Sequence, residues 1–129
     1  MIMHLKCEAD LPPQCPPSDA ASGDVGPVYR YIEGENLDEV DFLNHKEKNL
    51  YYSRDMECEA LALSFYTTIE AANDLAKRVK KFRKKKVISG RITSTCGIHK
   101  TTNDHLNLWI YRDIDMMEVF LGGEDKDER

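Results

Sequence analysis

Eight of the eighteen basic residues of this chain fall in the ten positions from Lys77 to Lys86, interrupted only by Val79 and Phe82. Clustered Lys and Arg neutralise phosphates and release the counterions that surround nucleic acid. Lys77, Arg78, Lys80, Lys81, Arg83, Lys84 and Lys85 are therefore candidate phosphate contacts. The rest of the chain holds ten basic against twenty-three acidic residues, so the run also reads, more simply, as a solvated face or one paired with acids of the same or another copy. No aromatic RNA-binding signature or helix-turn-helix pattern accompanies it.

A second place for chemistry is the stretch HLNLWIY, His105 to Tyr111. Alternation puts Leu106, Leu108 and Ile110 on one face and His105, Asn107, Trp109 and Tyr111 on the other. Trp109 has a large apolar body and one donor, which suits stacking on a base or proline as well as plain packing. The polar face is expected either to receive a ligand or to lie under the N-terminal segment. With His99 or His105 as acid and base and Lys100 or Arg112 on phosphate, a metal-independent ribonuclease is conceivable. Cys96 and His99 supply two ligands where zinc needs three or four, and a structural turn accounts for them more simply; neither a metal nor a cofactor is assigned. His45 reads as a surface residue, and Cys58 as a small buried one with no adjacent base to activate it.

These residues need elements to position them. TTIEAANDLAKRVKKFRKKK, Thr67 to Lys86, reads as one long amphipathic helix. Thr67 and Glu70 have capping-box spacing, and Ile69, Ala72, Leu75, Ala76, Val79 and Phe82 recur at helical intervals. The aliphatic face of HLNLWIY is expected to meet that stripe. Strands are expected at Val28–Glu33, Leu63–Tyr66, Val87–Thr95, His105–Tyr111 and Glu118–Leu121, with CGIHKTTND as the connection between the third and fourth, which should pair. Asp55 to Leu63 reads as a short helix, and LPPQCPPSDAASGDVGP, with all five prolines, as an extended tether.

At 129 residues and a formal net charge of −5, the chain has room for one modest core and is no general coat for nucleic acid. No apolar run reaches membrane-spanning length, the first ten residues include acids where a signal peptide needs an apolar stretch, and the four cysteines form no CxxC pair. A cytoplasmic protein with free thiols and no membrane partner is expected.

CPP (Cys15 to Pro17), YRYI (Tyr29 to Ile32), Asp41-Phe42, CEALALS (Cys58 to Ser64), and the Gly-turn followed by His105 and Trp109 together resemble a group of small bacterial proteins with no established activity. The resemblance implies a bacterial or mobile-element origin and carries over no catalytic residue. A further likeness is to one class of ADP-ribosyltransferases, which run an Arg on the first strand, a Ser-Thr-Ser strand and a glutamate that stabilises an oxocarbenium-like transition state. Arg30 in YRYI, Ser64 in SFYTT and Glu118 in MEVFL follow that order, without the full Ser-Thr-Ser or the paired glutamate. That likeness implies NAD chemistry, although each residue also reads as an ordinary strand residue or surface charge.

The expectation is thus a single α+β domain over residues 28–121, with a small, mainly antiparallel sheet packed against one long basic helix. A Pro-rich segment over 1–27 and a charged tail over 122–129 flank it. Binding is expected rather than catalysis, as an accessory protein contacting a macromolecule, nucleic acid among the possibilities, or a copy of itself.

Overall fold

The structure, a computed structural model, describes residues 4–120. Five strands, β1 (Val25–Ile32), β2 (Leu63–Tyr66), β3 (Lys86–Ile92), β4 (Gly97–Thr102) and β5 (His105–Ile110), form one antiparallel sheet in the order β3-β1-β2-β5-β4. The helices are short: α1 (Glu57–Ala60), α2 (Ile69–Arg78) and a helical stretch over 116–120. The long basic helix from Thr67 to Lys86 is overturned, and with it the architecture built on it. α2 stops at Arg78, Val79 is extended, Lys80–Phe82 is a single 3-10 turn and Lys86 already belongs to β3.

Electrostatics explains where α2 stops. Continued helix would stack Lys77 on Lys81, Lys80 on Lys84 and Lys81 on Lys85, like charges four residues apart. The chain instead turns at β-branched Val79, and Arg83 folds back to donate to the carbonyls of Ala76 and Lys77, at 3.0 and 2.9 Å, two groups the helix end leaves unpaired. The cap also lies one residue later than the spacing suggested. Thr68 accepts from Ala71 N at 3.0 Å, while the Thr67 hydroxyl donates to Asp104 at 3.1 Å.

The aliphatic face of the sheet carries the core. Val28 of β1, Leu63 and Phe65 of β2, Ile92 of β3, and Leu106, Leu108 and Ile110 of β5 cluster with Phe42, Met116 and Phe120. Phe120 lies edge-on to Phe42 at 5.6 Å and 5.8 Å from Phe65. It also sits flat on β3, where a Cβ on Gly90 would come within 2.4 Å of its ring. That position requires glycine. The expectation that the basic helix covers this face is corrected: α2 lies on the other face, where the Tyr31 hydroxyl donates to Ala72 O at 2.6 Å. Ala72 is its one fully buried residue. Ala72→Asp is expected to cost on the order of 3 kcal/mol by burying an unpaired carboxylate, and Val79→Asp, at a part-exposed helix end, much less. Equal shifts in thermal melts would show that the packed stripe runs past Arg78.

Two expected connections change identity. Residues 97–102, read as loop, form β4 and pair with β5 through a two-residue turn at Asn103 and Asp104, whose φ of 51° and 67° suit these residue types. β3 therefore pairs with β1 rather than with β5. The stretch from Glu118, expected as a strand, is helical as far as Phe120, because Asp115 accepts from Glu118 N at 3.2 Å as a cap; Leu121 lies outside the described residues.

The N-terminal segment crosses the sheet's far end. Leu5 bridges Tyr111, and Ala21 bridges His99 on the outer side of β4. The free-thiol expectation fails for two cysteines, since Cys15 is bonded to Cys58 of α1. Their separation of 43 residues is not a recognisable motif, so no sequence signal marked the pair.

Candidate functional site

The strands β1 and β2 share only the pair Tyr29 and Tyr66 and then diverge. Arg30 fills the gap. Its Nε donates to Asp41 O at 2.7 Å and its Nη1 to Ser64 O at 2.6 Å, replacing the ladder bonds that a neighbouring strand would have supplied. The guanidinium also lies 5.5 Å from the centre of the Phe65 ring. Its Nη2 meets no acceptor among the described residues, and Arg30 lines the floor of a cleft of about 210 Å³.

Lys48, Lys81 and Lys85 ring that cleft, His45 and Ser64 lie on its wall, and Tyr31, Tyr66 and Phe82 give it aromatic sides. Phe82 is anchored 5.1 Å from Tyr31, with the ammonium of Lys81 5.2 Å from its own ring centre. The 3-10 turn within the basic run thus supplies Lys81, and the residues just after it Lys85, to the lining of the cleft. Acid is scarce: Glu33 bridges Lys48 at 2.9 Å and Lys85 at 2.8 Å, and these bonds hold its carboxyl at about 2.

The cleft is cationic, and the protonation of the groups around it follows from that. Burial brings Arg30 down to about 10, against the attraction of Asp41 and Glu33, so it stays charged at neutral pH. Desolvation, then the charges of Lys48, Lys81 and Arg30, push His45 below the usual imidazole value, leaving it neutral. Asp41 is itself buried, but its carboxylate is occupied by the amides of Glu33 and Asp38 at 2.7 and 2.8 Å. A part-buried cation without a carboxylate ion pair among the described residues is costly. An anion in the cleft would offset that cost.

On the far side of Tyr66, the ring of His105 stacks on it at 5.3 Å and 23°. His105 Nε2 reaches Ser64 Oγ at 2.5 Å. Desolvation lowers the His105 pKa, opposed by the charge of Glu59.

The other sequence candidates fall in several places. Lys77, Lys80 and Lys84 are exposed, Arg83 is spent on carbonyls, and Arg78 faces a separate cavity of about 330 Å³ that it shares with Glu70, Asp74 and Asp104. Trp109 is buried and donates to Cys58 O of α1 at 3.0 Å. Asn107 pairs in register with Ser64 and Lys100, and Tyr111 lies beneath Leu5. The histidine pair is not assembled: the register puts His99 opposite Leu108 on the core face, where its ring donates to Gly23 O at 3.0 Å, and His105 on the other face. Cys96 is buried against Thr93, apart from any ligand set with His99. Of the transferase-like trio, Arg30 and Ser64 come together and Glu118 lies exposed on the helical stretch over the core face.

Lys48, Tyr31 and Tyr66 were not singled out from sequence, and His45, read there as a surface residue, is exposed beside the cleft. One available signal was Arg30, a charge between Val28 and Ile32 on a core-facing set, where an unpaired cation is rare. Compared with protein-family models, with curated proteins and with solved structures, the chain matches none.

Proposed function

We propose that the protein binds single-stranded nucleic acid, with a phosphate over Arg30 and neighbouring phosphates along the exposed lysines of the 77–85 run. The observation that carries this is the part-buried guanidinium of Arg30, which has no carboxylate ion pair among the described residues and lines a cleft together with Lys48, Lys81 and Lys85. Tyr31, Tyr66 and Phe82 add ring faces on which a base can stack without regard to its identity, the usual partner of a basic groove in single-strand binding.

Expected is binding of a fluorescent oligonucleotide at 50 mM salt that weakens about fiftyfold at 200 mM, the fall for four phosphates on a single strand. Lys81→Glu with Lys85→Glu should abolish it and Lys100→Glu, which pairs with Asp19 at 3.0 Å, should not. No binding at 50 mM salt would sink the proposal.

A second reading is contact with an acidic protein surface or another copy of this chain, favoured by the charge division of the sequence: eight of the eighteen cations sit in one run that holds no acid, and all twenty-three acids lie elsewhere. Sedimentation at low and high salt separates it from the first. A cytoplasmic setting goes with a nucleic-acid role, while the Cys15–Cys58 bond belongs to an oxidising one. Among the described residues no helix is long and apolar enough to cross a membrane.

A further inference from the structure

The Ser64 and His105 contact is a different kind of feature from the cationic rim. A serine and a histidine on neighbouring strands, diagonal in register, need no hydrogen bond to hold β2 to β5, because the backbone ladder already does so. Yet Nε2 of His105 is aimed at Oγ of Ser64 at 2.5 Å, and the imidazole is fixed in that direction by stacking on Tyr66. Ser64 is part-exposed and lines the Arg30 cleft. A hydroxyl facing a ligand cavity with an oriented imidazole behind it is the arrangement that activates a serine nucleophile.

We propose that Ser64 and His105 act as nucleophile and base for hydrolysis of a carboxylic ester of a phosphate-bearing alcohol, of the kind an acylated nucleotide presents. The choice of a phosphate-bearing substrate rests on the anion-binding reading of the same cleft; the nucleophile pair rests on the Ser64–His105 geometry alone. Arg30 and Lys81 hold the substrate's phosphate and so bring the ester carbonyl to Ser64. Oγ bonds to the carbonyl carbon while its proton passes to Nε2 of His105. The C–O bond to the alcohol then breaks, and the alcohol leaves with that proton. Water, deprotonated by His105, next attacks the acyl-serine; the acid departs and Ser64 regains its hydrogen.

At neutral pH the imidazole is ready for this role, because desolvation favours its uncharged form. The charged and titratable groups around it are Glu59 of α1, Tyr66 of β2, Glu70, Asp74 and Arg78 of α2 and Asp104 of the β4–β5 turn.

The test is treatment of the full chain with a fluorophosphonate probe, read by peptide mass mapping, beside hydrolysis of a 3′-O-acylated adenosine monophosphate. Expected is a single adduct on Ser64, absent in Ser64→Ala and slowed about a hundredfold or more in His105→Gln, the scale of a lost general base. Ester turnover should vanish in both variants and an excess of oligonucleotide should protect Ser64. Melting curves of both variants confirm that they fold. A Ser64 that stays unlabelled, or that labels equally fast in His105→Gln, overturns the nucleophile. Labelling that oligonucleotide does not slow overturns the phosphate-ester class. Oligonucleotide affinity is measured on the parent chain in the salt series above, independently of labelling and turnover, so failure of the chemistry and failure of the binding are read separately.

Discussion

Arg30→Met is expected to remove oligonucleotide binding and to lower the melting temperature at once. The substitution keeps much of the apolar stem but strips the donors from Asp41 O and Ser64 O, which Arg30 meets at 2.7 and 2.6 Å. A part-buried carbonyl left without its donor costs about 1 to 3 kcal/mol. Removal of a desolvated charge offsets part of that, leaving a net loss of about 2 kcal/mol, or roughly 6 to 10 °C for a domain of this size. Binding should suffer more than stability, because the only cation at the floor of the cleft among the described residues is gone. Arg30→Lys should retain part of the affinity and still melt early, since one ammonium cannot span two carbonyls and face an anion. A folded Arg30→Met protein that binds oligonucleotide as tightly as the parent would take Arg30 out of the site.

Phe120→Ala should give the largest loss of stability. The side chain is fully buried and closes the core against Phe42, Phe65 and the backbone of β3 at Gly90. Truncating a buried Phe costs about 3 to 5 kcal/mol, a large share of the 5 to 15 kcal/mol by which a domain is stable. Gly90→Ala should also destabilise, through its clash with the Phe120 ring. The two losses should not add: once the ring is gone the clash is relieved, and the double variant should be more stable than the sum predicts. Additive losses in denaturant titrations would mean that Phe120 does not rest on Gly90.

Local signals carried the strands. β2 and β5 lie where strands were expected at Leu63–Tyr66 and His105–Tyr111, and β1 includes Val28 to Ile32 of the expected Val28–Glu33, with Val28 and Ile32 buried. What failed were elements whose local preference is contested. The periodicity of Val79 and Phe82 continues the apolar stripe of α2, but charge repulsion and the fold-back of Arg83 end the helix. Residues 97–102 have little strand character by themselves and become β4 because β5 offers an unpaired edge and Asn103-Asp104 make the turn. Asp115 and Glu118 do carry capping spacing, a legible signal that the strand expectation for Glu118–Leu121 did not use.

The site divides in the same way. The order of residues alone determined that eight of the eighteen cations of this acidic chain sit in one run, that Arg30 shares a face with Val28 and Ile32, and that His105 shares a face with Trp109. Only the tertiary structure decided which of those residues meet. The divergence of β1 from β2 makes the gap that Arg30 fills, the order β3-β1-β2-β5-β4 brings His105 beside Ser64 from forty-one positions away, and the chain after α2 brings Lys81 and Lys85 to the same cleft. Spacing along a chain fixes direction within one element, whereas contact between elements depends on register and on which edges pair, and those are set by burial summed over the whole core.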